Sequence, residues 1–113
     1  MTLVLHLDHI RRSPTAALFE GHRHGGVDVS IFVTAYPNGH GPDLHLHPYP
    51  EVFVVQDGTA TFTVGDEEIA VEKGHIVVVP PETPHGFKNR ADETLRVVSV
   101  HPNGEVLQTD LSP

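Results

Sequence analysis

Apolar and polar positions alternate along most of this chain in runs of about 4 to 8 residues, with Gly, Pro, Asp and Asn between the runs, the pattern of short β-strands. From Val29 onward VSIFVTA, DLHLH, EVFVVQ, TATFTV, EIAV, HIVVVP, HGFKN and TLRVVSVH each read as a strand. No long segment keeps a helical period, so the expected fold is all-β, a sandwich or barrel. Residues 1–28 are less legible. TLVLHL reads as a candidate strand, SPTAALFEG ends in a short one, and HRHGGVD reads as a loop.

Turn chemistry refines this pattern. Asp57-Gly58 lies between two alternating runs, the strongest short-range signal for a two-residue hairpin, and Gly65-Asp66 and Lys73-Gly74 offer two more turns. The expected core is therefore a meander of hairpins. If Asp57 and Gly58 form the first loop, Phe53 pairs with Phe62 and Glu51 with Val64, so Glu51, Phe53, Val55, Ala60, Phe62 and Val64 share one face. Thr59, Thr61 and Thr63 take the other face, toward solvent. Glu51 then points inward among apolar side chains, where an unpaired carboxylate is costly and needs a cation or a hydrogen-bond network.

The stretch HLHPYPE contains the candidate cation site. His45 and His47, two apart on a strand, project from the same face, so both imidazoles can reach one point. Pro48 and Pro50 stiffen the reversal that leads to Glu51. His85, in PPETPHGF, is the fourth candidate. Three neutral imidazoles and one carboxylate form an N3O donor set suited to one divalent transition ion, Fe, Mn, Ni, Co, Zn or Cu, with positions left open for water or substrate. Phe53, Phe62 and Phe87 share the phase of Glu51 or His85 and are candidate walls of a ligand pocket. His22 and His24 repeat the H-x-H spacing inside a glycine-rich loop with no carboxylate in register, and His40 and His75 read as loop and turn residues. His101, at a strand end before Pro102, is left unassigned.

Composition narrows the chemistry further. The chain has 113 residues, enough for one hydrophobic core. It contains no cysteine, which removes disulfides, thiolate metal sites and cysteine nucleophiles. A formal charge of -8 opposes binding to a phosphate backbone, so nucleic acid is not an expected partner. No apolar run approaches the roughly 20 residues needed to span a bilayer, and MTLVLHLDHIRRSP lacks the unbroken apolar stretch of a signal peptide. The expectation is a soluble, cytoplasmic protein whose partner is a small molecule. HIVVVP, apolar on both phases, calls for cover on both faces from a second sheet or a partner chain, and a two-fold homodimer is the expected assembly.

The same residues carry a family resemblance. Gly39, His45, His47, Glu51 and Gly58 satisfy every spacing of the first cupin motif, G-x5-H-x-H-x3-E-x6-G, and Gly74, Pro80, His85 and Asn89 meet the second, G-x5-P-x-G-x2-H-x3-N. Glu82 stands where that second pattern has glycine, and His75 where family members often carry aspartate. The chain thus resembles a small single-domain cupin of the cupin 2 type over Gly39 to Asn89. The resemblance implies a single antiparallel β-barrel (a double-stranded β-helix or jelly roll), often dimeric, with the metal held inside by His45, His47, Glu51 and His85. A single domain over 1–113 is expected, with the barrel core at 29–101 and 1–28 as an N-terminal strand or loop extension. The leading expectation for function is a metalloenzyme of the oxygen-dependent dioxygenase type, an oxidoreductase, acting on a small organic molecule, with Glu51 doubling as a base. A metal-dependent isomerase, lyase or decarboxylase, or a non-catalytic sensor of a small ligand, is the alternative.

Overall fold

The computed structural model describes residues 2–111. After a 3-10 turn at Leu7–Ile10 come eleven strands: β1 Arg11–Ser13, β2 Ala16–Glu20, β3 Ser30–Tyr36, β4 His45–Leu46, β5 Glu51–Asp57, β6 Thr59–Val64, β7 Glu67–Glu72, β8 Ile76–Val79, β9 His85–Lys88, β10 Leu95–His101 and β11 Thr109–Asp110. TLVLHL, read as a candidate strand, forms none within the described residues and leads into the 3-10 turn instead. No helix among the described residues is long and apolar enough to cross a membrane.

The strands form two antiparallel sheets, one of six in the order β1-β2-β3-β10-β5-β8 and one of five in the order β11-β4-β9-β6-β7. The closed barrel implied by the resemblance is therefore corrected to a pair of open sheets. Proline accounts for part of the break. Pro48 and Pro50 separate β4 from β5, and Pro80, Pro81 and Pro84 separate β8 from β9. Without an N–H, proline cannot carry a ladder of hydrogen bonds around a corner from one sheet to the other.

The meander is corrected as well. Of the three expected turns, only Gly65-Asp66 closes a two-residue hairpin, with Val64 opposite Glu67. At Asp57-Gly58 the chain crosses from the six-stranded to the five-stranded sheet, so β5 and β6 face each other across the core instead of lying side by side. Gly58 has φ 81°, and a Cβ there would lie 2.8 Å from the Thr94 carbonyl oxygen, so the crossing needs glycine on both counts. The inward phase of Glu51 survives this change because it follows from the alternation of β5 itself. Glu51, Phe53 and Val55 are buried while Val52 and Val54 are only partly covered.

Both sheets supply the core. Phe53, Val55, Val77, Val79, Leu95 and Val97 project from one, and Ala60, Phe62, Val71 and Phe87 from the other. Phe62 stacks on Phe87 with centroids 4.4 Å apart, and Phe53 meets Phe62 edge-on at 5.0 Å. Such aromatic pairs add about 0.5–1.5 kcal/mol each beyond the area they bury. This cluster forms the floor beneath the polar site.

Candidate metal centre

His45 opens β4 and His85 opens β9, and the two residues are paired directly in register. Their rings lie 4.3 Å apart between centroids, and His47, one position beyond the end of β4, places its ring 4.9 Å from that of His45. Glu51 opens β5 on the opposite sheet. The four side chains therefore meet between the sheets, where the turn containing Pro48 and Pro50 brings the two strand ends together. All four are buried, and one ligand atom from each lies within 4.8 Å of the others.

The backbone around the cluster fixes which nitrogen each ring presents. Nδ1 of His45 lies 2.6 Å from the Asp43 carbonyl, Nδ1 of His47 2.8 Å from the Leu107 carbonyl and Nδ1 of His85 2.9 Å from the Thr83 carbonyl. A carbonyl oxygen only accepts, so each Nδ1 donates its proton and leaves a lone pair on Nε2. Nε2 of His47 and of His85 then meet Oε1 of Glu51 at 3.0 and 2.9 Å. A lone pair facing a carboxylate oxygen is favourable only with a proton or a metal ion between them, and His85 is placed to make that contact as a hydrogen bond when its Nε2 is protonated. Nε2 of His47 is moreover buried without a hydrogen-bond partner, because the carboxylate lies off the line along which that nitrogen would donate. The donor set and the orphaned atom both fit a metal ion.

Local chemistry explains how the loops hold this arrangement. Gly86 follows His85, and a Cβ at that position would lie 2.9 Å from the Pro42 carbonyl oxygen, so its bare backbone lets the loop that supplies Asp43 rest on β9. Lys88 pins the same loop through the Gly41 carbonyl and the Asp43 carboxylate. Lys88 also holds the exposed Asp43 carboxyl below its ordinary value. Glu82, at the glycine position of the second motif, adopts φ 59° and donates its N–H to the His47 carbonyl. The backbone there demands a left-handed residue, and a glutamate accepts it at a strain of about 1–2 kcal/mol. His75 caps its turn by accepting the Glu72 N–H on Nδ1. Asn89 is fully buried and ties the Tyr36 and Glu93 carbonyls, which makes its role structural.

The electrostatics follow from burial and from the carboxylate. Burial alone would raise the Glu51 carboxyl, but the imidazoles of His101, His47 and His85 outweigh it and hold Glu51 well below the usual carboxylate range. Burial also opposes charging of His47, yet Glu51 and the Leu107 carbonyl overcome it and raise His47 above the ordinary imidazole value. His45 goes the other way, lowered by burial in excess of what the Asp43 carbonyl returns.

A cavity of about 230 Å³ opens beside the cluster, bordered by His45, His47 and Glu51. Phe53 and Phe87 form part of its wall. Phe62, expected with them, does not border it and sits in the core behind Phe87. The rest of the lining includes Thr34, Tyr36, Ser99 and Gln108, and no Lys or Arg side chain borders it. His22 pairs with Asp28 at 3.1 Å, and His24 stacks on Phe19. Neither belongs to the cluster, and exposed His40 stays in its loop.

One residue was not assigned from the sequence. His101 ends β10 fully buried, with Nε2 3.0 Å from Oε2 of Glu51 and its ring 4.7 Å from that of His47. The signal that could have found it is phase. In TLRVVSVH, His101 falls on the same alternate positions as Leu95 and Val97, which are both buried.

Comparison with known proteins agrees with this geometry. The family model described as a cupin domain matches residues 31–101, more than half of the chain. An uncharacterised protein of Methanocaldococcus jannaschii is 28% identical over 90 residues, covering 74% of this chain and 72% of its own. Among solved structures, a conserved protein with a double-stranded β-helix domain from Klebsiella pneumoniae superposes with a TM-score of 0.76 at 21% identity, covering 96% of each chain. The Lactobacillus farciminis oxalate decarboxylase in its formate complex gives a TM-score of 0.81 at 19% identity, with 94% of this chain covered. This chain spans only 35% of that enzyme's length. At such identities these likenesses concern the fold. The buried cluster of His45, His47, Glu51 and His85 matches a single divalent-metal site of the cupin type. The expectation of a dioxygenase, and with it of an oxidoreductase, is overturned. The named activity among these similar structures is oxalate decarboxylation, which cleaves a carbon–carbon bond and is not an oxygenase reaction.

Proposed function

The chain belongs to the cupin family, and from that premise we propose that it is a metal-dependent lyase or isomerase acting on a small, oxygen-bearing monoanion. His45, His47 and His85 would hold the ion through Nε2 and Glu51 would hold it through a carboxylate oxygen. The metal, when bound, supplies Lewis acidity toward a carbonyl or enolate oxygen.

The lining of the cavity carries this reading. Three neutral imidazoles, one carboxylate and a divalent ion leave a single net positive charge, and the bordering side chains add no further cation. A buried charge needs compensation, so a ligand with one negative charge suits the site better than one with two. Tyr36 and Ser99 offer hydroxyls for its remaining oxygens, whereas the Thr34 hydroxyl already donates to the Val97 carbonyl. Tyr36 keeps its proton, since burial pushes its phenol up. Glu51, held well below the usual range, is a weak proton acceptor at neutral pH, and its main contribution is to balance the charge of the ion.

The test loads the protein with manganese, iron or zinc and presents small keto and hydroxy monocarboxylates, with oxalate as the dianionic control, while following dissolved oxygen and product. Metal-dependent product without oxygen uptake supports the proposal, with the monocarboxylates favoured over oxalate. Saturable binding with no product under any metal would move the protein to the non-catalytic, ligand-sensing class.

The outer face of the six-stranded sheet supports a homodimer as part of the same proposal. Val78, Val52, Val100, Ile31 and Phe19 stand in register across five strands, and Ile76, Val54, Val98 and Val33 form a second row that ends at buried Ala17. Ile76 and Val78 are 64% and 63% exposed at the β8 edge. A continuous apolar face of this kind is self-complementary about a two-fold axis. Light scattering is expected to give twice the chain mass for the parent and a monomer for Ile76→Asp. A monomeric parent would remove the dimer.

A further inference from the structure

His101 is as buried as the four cluster residues and touches the same carboxylate, yet its surroundings give its ring the opposite polarity. The other three histidines point Nδ1 at a carbonyl. His101 instead points Nδ1 at the Tyr49 hydroxyl, 2.7 Å away. That hydroxyl already accepts the Leu107 N–H at 3.2 Å. Nδ1 of His101 is then the one acceptor within reach of the hydroxyl's own proton, and the arrangement that satisfies both groups has the hydroxyl donating to it. With Nδ1 accepting, the ring proton of His101 sits on Nε2, which faces Oε2 of Glu51 at 3.0 Å and borders the cavity.

We infer that His101 is a positioning residue that turns an Nε2–H toward Oε2 of Glu51 and cannot itself ligate the ion, and that Tyr49 fixes it in that state. The two carboxylate oxygens are divided accordingly. Oε1 faces His47 and His85, while Oε2 faces His101. Oε1 is then the oxygen that would be left to meet an ion. Leu107 joins the two halves of the device, because its N–H holds Tyr49 and its carbonyl holds His47. The Tyr49 ring also stacks on His47 within 5° of parallel, so a single side chain braces both a ligand and the donor beside it. Nε2 of His101, like that of His47, is buried without a hydrogen-bond partner, because its 3.0 Å contact with Oε2 lies off the donor's line, and its proton is therefore open to an oxygen of a bound molecule.

This inference rests on the metal reading of the cluster, and the experiment separates the two. Protein labelled with ¹⁵N at histidine is loaded with zinc alone, and long-range ¹H–¹⁵N spectra assign the proton and metal on every ring nitrogen. The expected spectrum shows His45, His47 and His85 protonated at Nδ1 with zinc-shifted Nε2, and His101 protonated at Nε2 with no zinc shift. A proton on Nδ1 of His101, protons on both its nitrogens, or a zinc-shifted Nε2 would overturn the inference. Absence of a zinc shift at the other three would overturn the metal reading itself. Zinc affinity gives the second readout. His101→Ala is expected to lower it about 10- to 100-fold. His101→Gln, whose amide can donate from nearly the same place, should restore most of the loss, and Tyr49→Phe should release the His101 proton from Nε2. Unchanged affinity in His101→Ala, or an unchanged His101 spectrum in Tyr49→Phe, would count against the positioning role.

Discussion

His85→Ala is expected to lose stoichiometric zinc binding, with His45→Ala and His47→Ala behaving alike and His22→Ala and His24→Ala retaining the parent affinity. Each of the three rings has its tautomer set by a backbone carbonyl so that Nε2 offers a lone pair to one point. Removing one ring deletes a donor that no neighbour replaces. Changing a group that only orients a ligand typically costs 10–100-fold in affinity, so loss of a ligand should exceed about 100-fold. Titration calorimetry reads the affinity directly, and thermal melts read the same quantity as stability. At zinc 100 times above its dissociation constant, the parent gains about 2.7 kcal/mol, and the three variants should gain almost nothing. His85 also packs 5.9 Å from Phe53 between ring centroids, so His85→Ala is expected to melt lower even without zinc. Comparing each protein with and without zinc separates that packing loss from the lost ligand. Equal zinc-induced shifts in parent and His85→Ala would contradict the assignment.

Zinc affinity is expected to fall steeply as pH drops from about 7 to 5, approaching one log unit per pH unit for each imidazole that must first lose a proton. His47, raised above the ordinary value, takes up its proton at the neutral end of that range. His45, lowered by burial, joins only at more acidic pH. Glu51 stays ionised throughout and adds nothing to the slope. The metal-free protein has its own pH dependence. Because the folded value of Glu51 lies below its unfolded one, its contribution to stability is full above about pH 4.5 and lost as pH falls toward the folded value. The raised value of His47 works oppositely, stabilising below about pH 6.5 and fading as pH rises through the folded value. The lowered value of His45 adds stability above about pH 6.5 that is lost on acidification. Zinc competition titrations across the range check the slope, and a flat affinity between pH 7 and 5 would contradict histidine ligation.

The strands of this fold were legible because β-branched residues alternate with polar ones, and each of the eight runs read from Val29 onward coincides with one of the strands β3 to β10. The quartet was legible for a similar reason. H-x-H on a strand projects two rings together, and the inward phase of Glu51 follows from β5 alone. Sheet membership was not legible. An Asp-Gly pair favours a tight reversal but carries no information about which neighbour the next strand will join. At Gly58 the turn instead packs against Thr94 and Leu95, nearly 40 residues away, and sends β6 to the other sheet. His101 was hidden by the same kind of distance. Its place beside Glu51 depends on β10 lying against β5, a pairing fixed only when both sheets assemble. Tyr49 and Leu107 likewise acquire their roles from hydrogen bonds between parts of the chain more than 50 residues apart.

The metal centre requires one ion bound at one place. Crystals grown with an equivalent of zinc and measured above the zinc absorption edge show where the ion lies. A single anomalous peak is expected between the Nε2 atoms of His45, His47 and His85 and Oε1 of Glu51, at about 2.0–2.2 Å from each, with His101 outside that coordination sphere. A peak at His22 and Asp28 instead, or no peak within the cluster, would contradict it.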